Sequence, residues 1–89
     1  MISSHDKEIV QEISERYGVT RVLLFGSSVR PDRESRDIDI AVEGLPPRDF
    51  YSYYGDLILA LSKPVDVIDL AGTSKFVRMI KEEGVLLYG

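Results

Sequence analysis

Two aspartates, Asp37 and Asp39, interrupt an apolar run in "DIDIAV", and a third carboxylate, Asp66, interrupts another in "PVDVID". Residues two apart on a strand share one side of the sheet, with Cα atoms about 7 Å apart. Asp37 and Asp39 therefore face one way, and Ile38, Ile40 and Val42 face the other. Ionised carboxylates that close repel and raise each other's pKa, so something positive must sit with them. No lysine or arginine alternates with them on that face. Hard oxygen donors with room for water and phosphate suit Mg²⁺ or Mn²⁺.

A third ligand has two candidates, Asp66 and Asp69. Val65 and Val67 take the core face of their strand, Asp66 takes the opposite one, and Asp69 falls on the core parity. Parity selects Asp66. Three carboxylates can hold two ions about 3.5–4 Å apart, one activating an attacking oxygen and one neutralising a leaving phosphate. Upstream, "LLFGSS" ends an apolar run at a Gly-Ser pair. Gly26 lets the backbone approach a ligand closely. If Ser27 opens a short helix, its free N–H groups and hydroxyl make an anion site for a triphosphate tail.

The elements that must hold these residues follow from periodicity and punctuation. Ser3 or Ser4 caps a first helix to about Tyr17, with Ile9, Ile13 and Tyr17 recurring every four positions and Gly18 as its stop. Residues 20–25 form a buried strand ended by Gly26, and residues 37–42 a second strand, closed by the turn "GLPP". Asp49 caps a second helix whose apolar stripe reads Phe50, Tyr54, Leu57, Ile58 and Leu61. Tyr51 and Tyr53 fall at the edge of that stripe, as core or partner interface rather than base-stacking groups. Residues 63–70 form a third strand. Thr73 or Ser74 starts a third helix through Phe76, Val77 and Ile80, stopped by Gly84, and the tail "VLLYG" runs extended against the body. This order is an α/β (α+β) domain, a small mixed sheet flanked by helices, expected as a single domain over residues 1–89.

Composition narrows the function classes. The chain has 89 residues, 44% hydrophobic and 29% charged, with no cysteine. Disulfides, thiolate metal sites and cysteine nucleophiles are excluded, which fits a reducing, cytoplasmic setting. The longest apolar run, Leu57 to Leu61, is far below the roughly 20 residues that span a bilayer. A net charge of −4 disfavours generic nucleic-acid binding, although Arg30, Arg33 and Arg36 concentrate positive charge in the loop before Asp37. "FGSSV" lacks the Gly-Lys of a P-loop, and the lone histidine, His5, reads as an exposed first-turn residue.

Taken together, "LLFGSSVRPDRESRDIDIAV" followed by "PVDVIDL" resembles the minimal nucleotidyltransferases of the DNA polymerase beta superfamily, along nearly the whole chain. The resemblance implies a polymerase-beta-like fold and a metal-dependent transfer of a nucleoside monophosphate, AMP from ATP, to an acceptor hydroxyl. Asp37, Asp39 and Asp66 become the catalytic ligands of two Mg²⁺ or Mn²⁺ ions. Gly26, Ser27 and Arg30 become the contacts of the nucleotide phosphates. In this family the acceptor resembles a tyrosine on a separate helical protein of the HEPN type, the pair acting as toxin and antitoxin. Pro31, where a glycine commonly follows the arginine, and a shortened loop leave a second reading, a binding module that neutralises a helical partner by contact. Either reading expects a partner complex or a homodimer through "FYSYYGDLILAL" and the tail.

Overall fold

The computed structural model describes residues 2–29 and 36–89, without the side chain of Ser27. Its elements in order are α1 (Ser4–Tyr17), β1 (Arg21–Leu24), a 3-10 turn at Gly26–Val29, and β2 (Ile38–Glu43). A second 3-10 turn at Pro47–Asp49 leads into α2 (Phe50–Ala60), followed by β3 (Val65–Asp69), α3 (Lys75–Glu83) and β4 (Val85–Tyr88). The sheet order is β3-β2-β1-β4. β1 pairs antiparallel with β2 and β4, while β2 and β3 run parallel. The tail expected to dock in extended form is thus an edge strand. The mixed sheet with three helices is the α+β architecture expected from the sequence.

The starts of α1 and α3 are set by serine caps. The Ser3 side chain accepts the Asp6 N–H, and Gly18 ends α1 at φ 69°, in the left-handed region that an L side chain enters only at a cost. Ser74 caps α3 in the same way through the Val77 N–H. Asp49 does not act as the expected cap: the 3-10 turn has already made its backbone helical, and its side chain forms no capping bond.

The sheet is covered unequally on its two sides. α1 and α2 bury one face through Val10, Ile13, Val22, Leu24, Ile38, Ile40, Val42, Tyr53, Leu57, Val65 and Val67. α3 covers part of the other through Leu23, Ala41, Leu70, Val77 and Ile80. Two details of the stripes differ from expectation. Val10 is fully buried in α1 where Ile9 is only half-buried. In α2, Tyr53 is the fully buried tyrosine, Tyr54 lies at the edge, and Ile58 is 57% exposed. Tyr53 can enter the core because its hydroxyl lies 2.7 Å from Ser14 Oγ on α1, so neither of these two buried hydroxyls is left unpaired.

Asp6 is the other polar group within this layer. It is 1% exposed and accepts hydrogen bonds from the Ser62 N–H at 3.1 Å and from the Ser62 hydroxyl at 2.5 Å. The start of α1 is thereby fastened to the end of α2. Among the described residues, no helix is long and apolar enough to cross a membrane.

Candidate active site

Parallel pairing of β2 and β3 sets Asp39 directly opposite Asp66 and Ala41 opposite Ile68. Ile38 and Ile40 point into the helix-covered core, so alternation sends Asp39 and Asp66 to the face that α3 only partly covers. Asp37 stands just before β2, exposed. Asp69, at the far end of β3 opposite Val42, instead accepts the Ala71 N–H at 3.0 Å.

Gly26 lies against this cluster from the end of β1. A Cβ built on it would fall 3.0 Å from Asp39 Oδ2, and its φ of +67° is one that L side chains rarely adopt. Glycine therefore lets the first 3-10 turn and the Asp39 carboxylate share one small volume. The Phe25 N–H, one residue earlier, donates to the Asp39 carbonyl at 3.0 Å and continues the β1–β2 ladder to the site.

The charges here oppose one another. Burial holds the Asp39 carboxyl above the ordinary aspartate range, and the nearby Asp66 and Asp37 carboxylates push it the same way. Asp39 and Asp66 have no ion pair with any described lysine or arginine. The Tyr54 hydroxyl donates to Asp66 Oδ1 from α2 at 3.5 Å, a weak bond from a neutral donor that leaves the charge in place. Among the described residues, no three ligand side chains close on a single point. The closest association is the Asp39–Asp66 pair, with Asp37 acting on Asp39 through its charge. An uncompensated pair of hard oxygen donors is a donor set that a divalent cation relieves, so the residues fit such an ion.

Sequence reasoning passed over Ser28, the second serine of "GSS". It is 2% exposed; its hydroxyl donates to the Asp37 carbonyl at 3.0 Å and accepts the Asp39 N–H at 3.0 Å. One side chain thus joins the first 3-10 turn to the backbone on both sides of Ile38. The available signal was the serine doublet itself, since two adjacent serines cannot both face a ligand from one tight turn. Ser28→Ala should cost about 1–2 kcal/mol, because it leaves a buried N–H and a carbonyl without partners. Any activity that depends on these carboxylates should fall about 10- to 100-fold through their misplacement. Thermal melts and initial rates check the two effects separately.

Arg30, Arg33 and Pro31 lie outside the described residues, as does the Ser27 hydroxyl. A shallow cleft of about 230 Å³ between the start of α1 and β4, lined by Lys7, Leu24 and Leu87 among others, holds none of these carboxylates.

The model of the family described as polymerase beta, nucleotidyltransferase matches residues 7–89. No curated protein matches the chain. Among solved structures, the chain is similar to a toxin–antitoxin protein crystallised with AMP-PNP, at 26% identity and TM-score 0.73, covering 98% of this chain and 74% of that one. It is also similar to a chain of the toxin–antitoxin MntA-HepT at 24% identity and TM-score 0.72, covering 98% and 73% respectively. A protein from Shewanella oneidensis is similar at 23% identity and TM-score 0.72, covering 99% and 73%. The last two likenesses speak for the fold alone. The family match runs along almost the whole sequence, and the chain belongs to the polymerase beta nucleotidyltransferase family as a minimal nucleotidyltransferase.

Proposed function

We propose that this nucleotidyltransferase moves AMP from ATP to a tyrosine hydroxyl of a helical, HEPN-type partner protein, and so acts as the antitoxin of a cytoplasmic pair. The observation that carries the chemistry is the Asp39–Asp66 pair, set side by side without a described cation and pressed against Gly26. Asp37, Asp39 and Asp66 would hold two Mg²⁺ or Mn²⁺ ions, which supply charge neutralisation for the phosphates and activation of the attacking oxygen. Gly26 and Ser27 offer backbone N–H groups at the first 3-10 turn for the phosphate tail, with Arg30 beside them in sequence. The acceptor oxygen attacks the α-phosphorus, the bond to the β-phosphate oxygen breaks, and pyrophosphate leaves. Asp66, exposed on the edge strand, meets the incoming hydroxyl and helps draw off its proton.

Support for the partner comes from two directions. One similar structure, at 26% identity, is a toxin–antitoxin protein crystallised with AMP-PNP. The outer side of α2 is apolar, with Tyr51 at 84%, Ile58 at 57% and Leu59 at 87% exposure. Spacings of seven and eight residues place Ile58 and Leu59 on the side of Tyr51, a stripe suited to a helical partner or to a second copy of the chain. That same stripe favours the second reading, neutralisation by contact alone.

Labelled ATP separates the two readings. With Mg²⁺ and a candidate helical partner protein, label at the α-phosphate should pass to the partner, and label at the γ-phosphate should not. Tight complex formation with no α-label, even with Mn²⁺, would leave the contact reading.

A further inference from the structure

We infer that Phe76, packed against Phe25, is the platform on which the nucleobase of the triphosphate stacks; the inference rests on the nucleotidyltransferase reading above. Three observations converge on one corner of the α3 face. Phe25 directly precedes Gly26 and is bonded through its N–H to the Asp39 carbonyl, so it stands beside the carboxylates. Ile68 lies two residues beyond Asp66 on β3, on the same face, opposite Ala41. Phe76, in the first turn of α3, meets the Phe25 ring edge to face, with centroids 6.1 Å apart and planes at 86°.

Phe76 is nevertheless 50% exposed, and Met79, one helical turn on, is 45% exposed. A half-exposed ring, set nearly perpendicular to a second ring, offers apolar surface to an approaching ligand. The strand alternation fixes where that surface lies. From the Asp39–Asp66 level to the Ala41–Ile68 level is one residue pair, about 7 Å along the strands. A nucleotide whose α-phosphate sits at the carboxylates and whose β- and γ-phosphates sit at Gly26 must lead its ribose away from the turn. Toward α3 it meets apolar side chains; toward Asp37 it meets the exposed Arg36.

Stacking on an apolar ring holds any base by its π-face, so the platform confers affinity without reading base edges. Adenine and guanine nucleotides should bind within a few-fold of each other, and pyrimidine nucleotides more weakly because less area stacks.

The test is equilibrium binding to the full chain in Mg²⁺. The ligands are an α,β-methylene ATP analogue and inorganic tripolyphosphate, and the proteins are wild type, Phe76→Ala and Phe76→Tyr. Phe76→Ala should weaken the analogue about tenfold, leave tripolyphosphate unchanged, and be rescued by Phe76→Tyr. Because Phe76 is half-exposed, melting curves should show Phe76→Ala folded. Unchanged analogue binding in Phe76→Ala, or an equal loss for both ligands, overturns the platform. If wild type binds neither ligand, the nucleotidyltransferase reading itself fails and the platform falls with it.

Discussion

Asp39→Asn is expected to lower nucleotidyl transfer about a thousandfold while raising the melting temperature of the metal-free protein. The loss of rate follows from removing the carboxylate shared by both proposed ions, which supply several kcal/mol of charge stabilisation in the transition state. The gain in stability follows from the same carboxylate's surroundings. Burial, then the charges of Asp66 and Asp37, hold it above the ordinary aspartate range. A carboxyl raised in this way adds stability at low pH, and the contribution disappears as pH rises through its folded-state value. At neutral pH the metal-free protein therefore carries an uncompensated repulsion. Asparagine keeps the shape and removes the charge. Metal bound to the native state alone stabilises by mass action, so the variant should also lose most of the rise in melting temperature that Mn²⁺ gives wild type. Melting curves in chelator and in excess Mn²⁺ measure both effects. A variant less stable than wild type in chelator, together with a wild type indifferent to metal, would show that the repulsion is not there to be relieved.

Asp6→Ala is expected to cause the largest loss of stability of any substitution considered, about 2–3 kcal/mol, or roughly 10 °C or more in melting temperature. The carboxylate is buried, which alone would raise its pKa, but the hydroxyl and N–H of Ser62 outweigh that and hold it below the ordinary aspartate range. Ser3 adds a smaller contribution of the same sign. Alanine removes the acceptor of both Ser62 donors and so unfastens the start of α1 from the segment that follows α2. The sign of the pH effect is opposite to that at Asp39. A lowered carboxyl contributes stability above its unfolded value, about 3.9, and loses it as pH falls through the folded value. Wild type and Asp6→Asn should therefore differ at neutral pH and converge in strong acid. Denaturant titrations from neutral pH to about pH 2 check this. A constant gap across that range would mean that the Ser62 bonds do not depend on the charge.

Much of this architecture follows from short-range signals. Ser3 and Gly18 bound α1, Ser74 starts α3, and alternation places Asp39 and Asp66 away from the helix-covered core. What escaped the sequence depends on partners distant along the chain. Tyr53 rather than Tyr54 is buried because Ser14, 39 residues away, meets its hydroxyl. Asp6 is buried because Ser62, 56 residues away, supplies both donors. An aspartate in a helix's first turn reads as a solvated residue favoured by the helix dipole, and nothing local says otherwise. Ser28 escaped because its value lies in bridging backbone across a loop, a role with no periodicity. The pairing of the tail with β1 likewise depends on which sheet edge is open, which a four-residue apolar strand does not declare.

The central claim, that Asp37, Asp39 and Asp66 form one divalent-metal site for a nucleoside triphosphate, is most directly tested by anomalous diffraction. The crystals would hold the full chain grown with Mn²⁺ and the α,β-methylene ATP analogue. The expected map has two manganese peaks about 3.5–4 Å apart, both in contact with Asp37 and Asp39, with Asp66 completing the ligand set and the phosphate tail at Gly26 and Ser27. A nucleotide bound elsewhere, or manganese absent from these three carboxylates while the analogue is bound, would contradict the account.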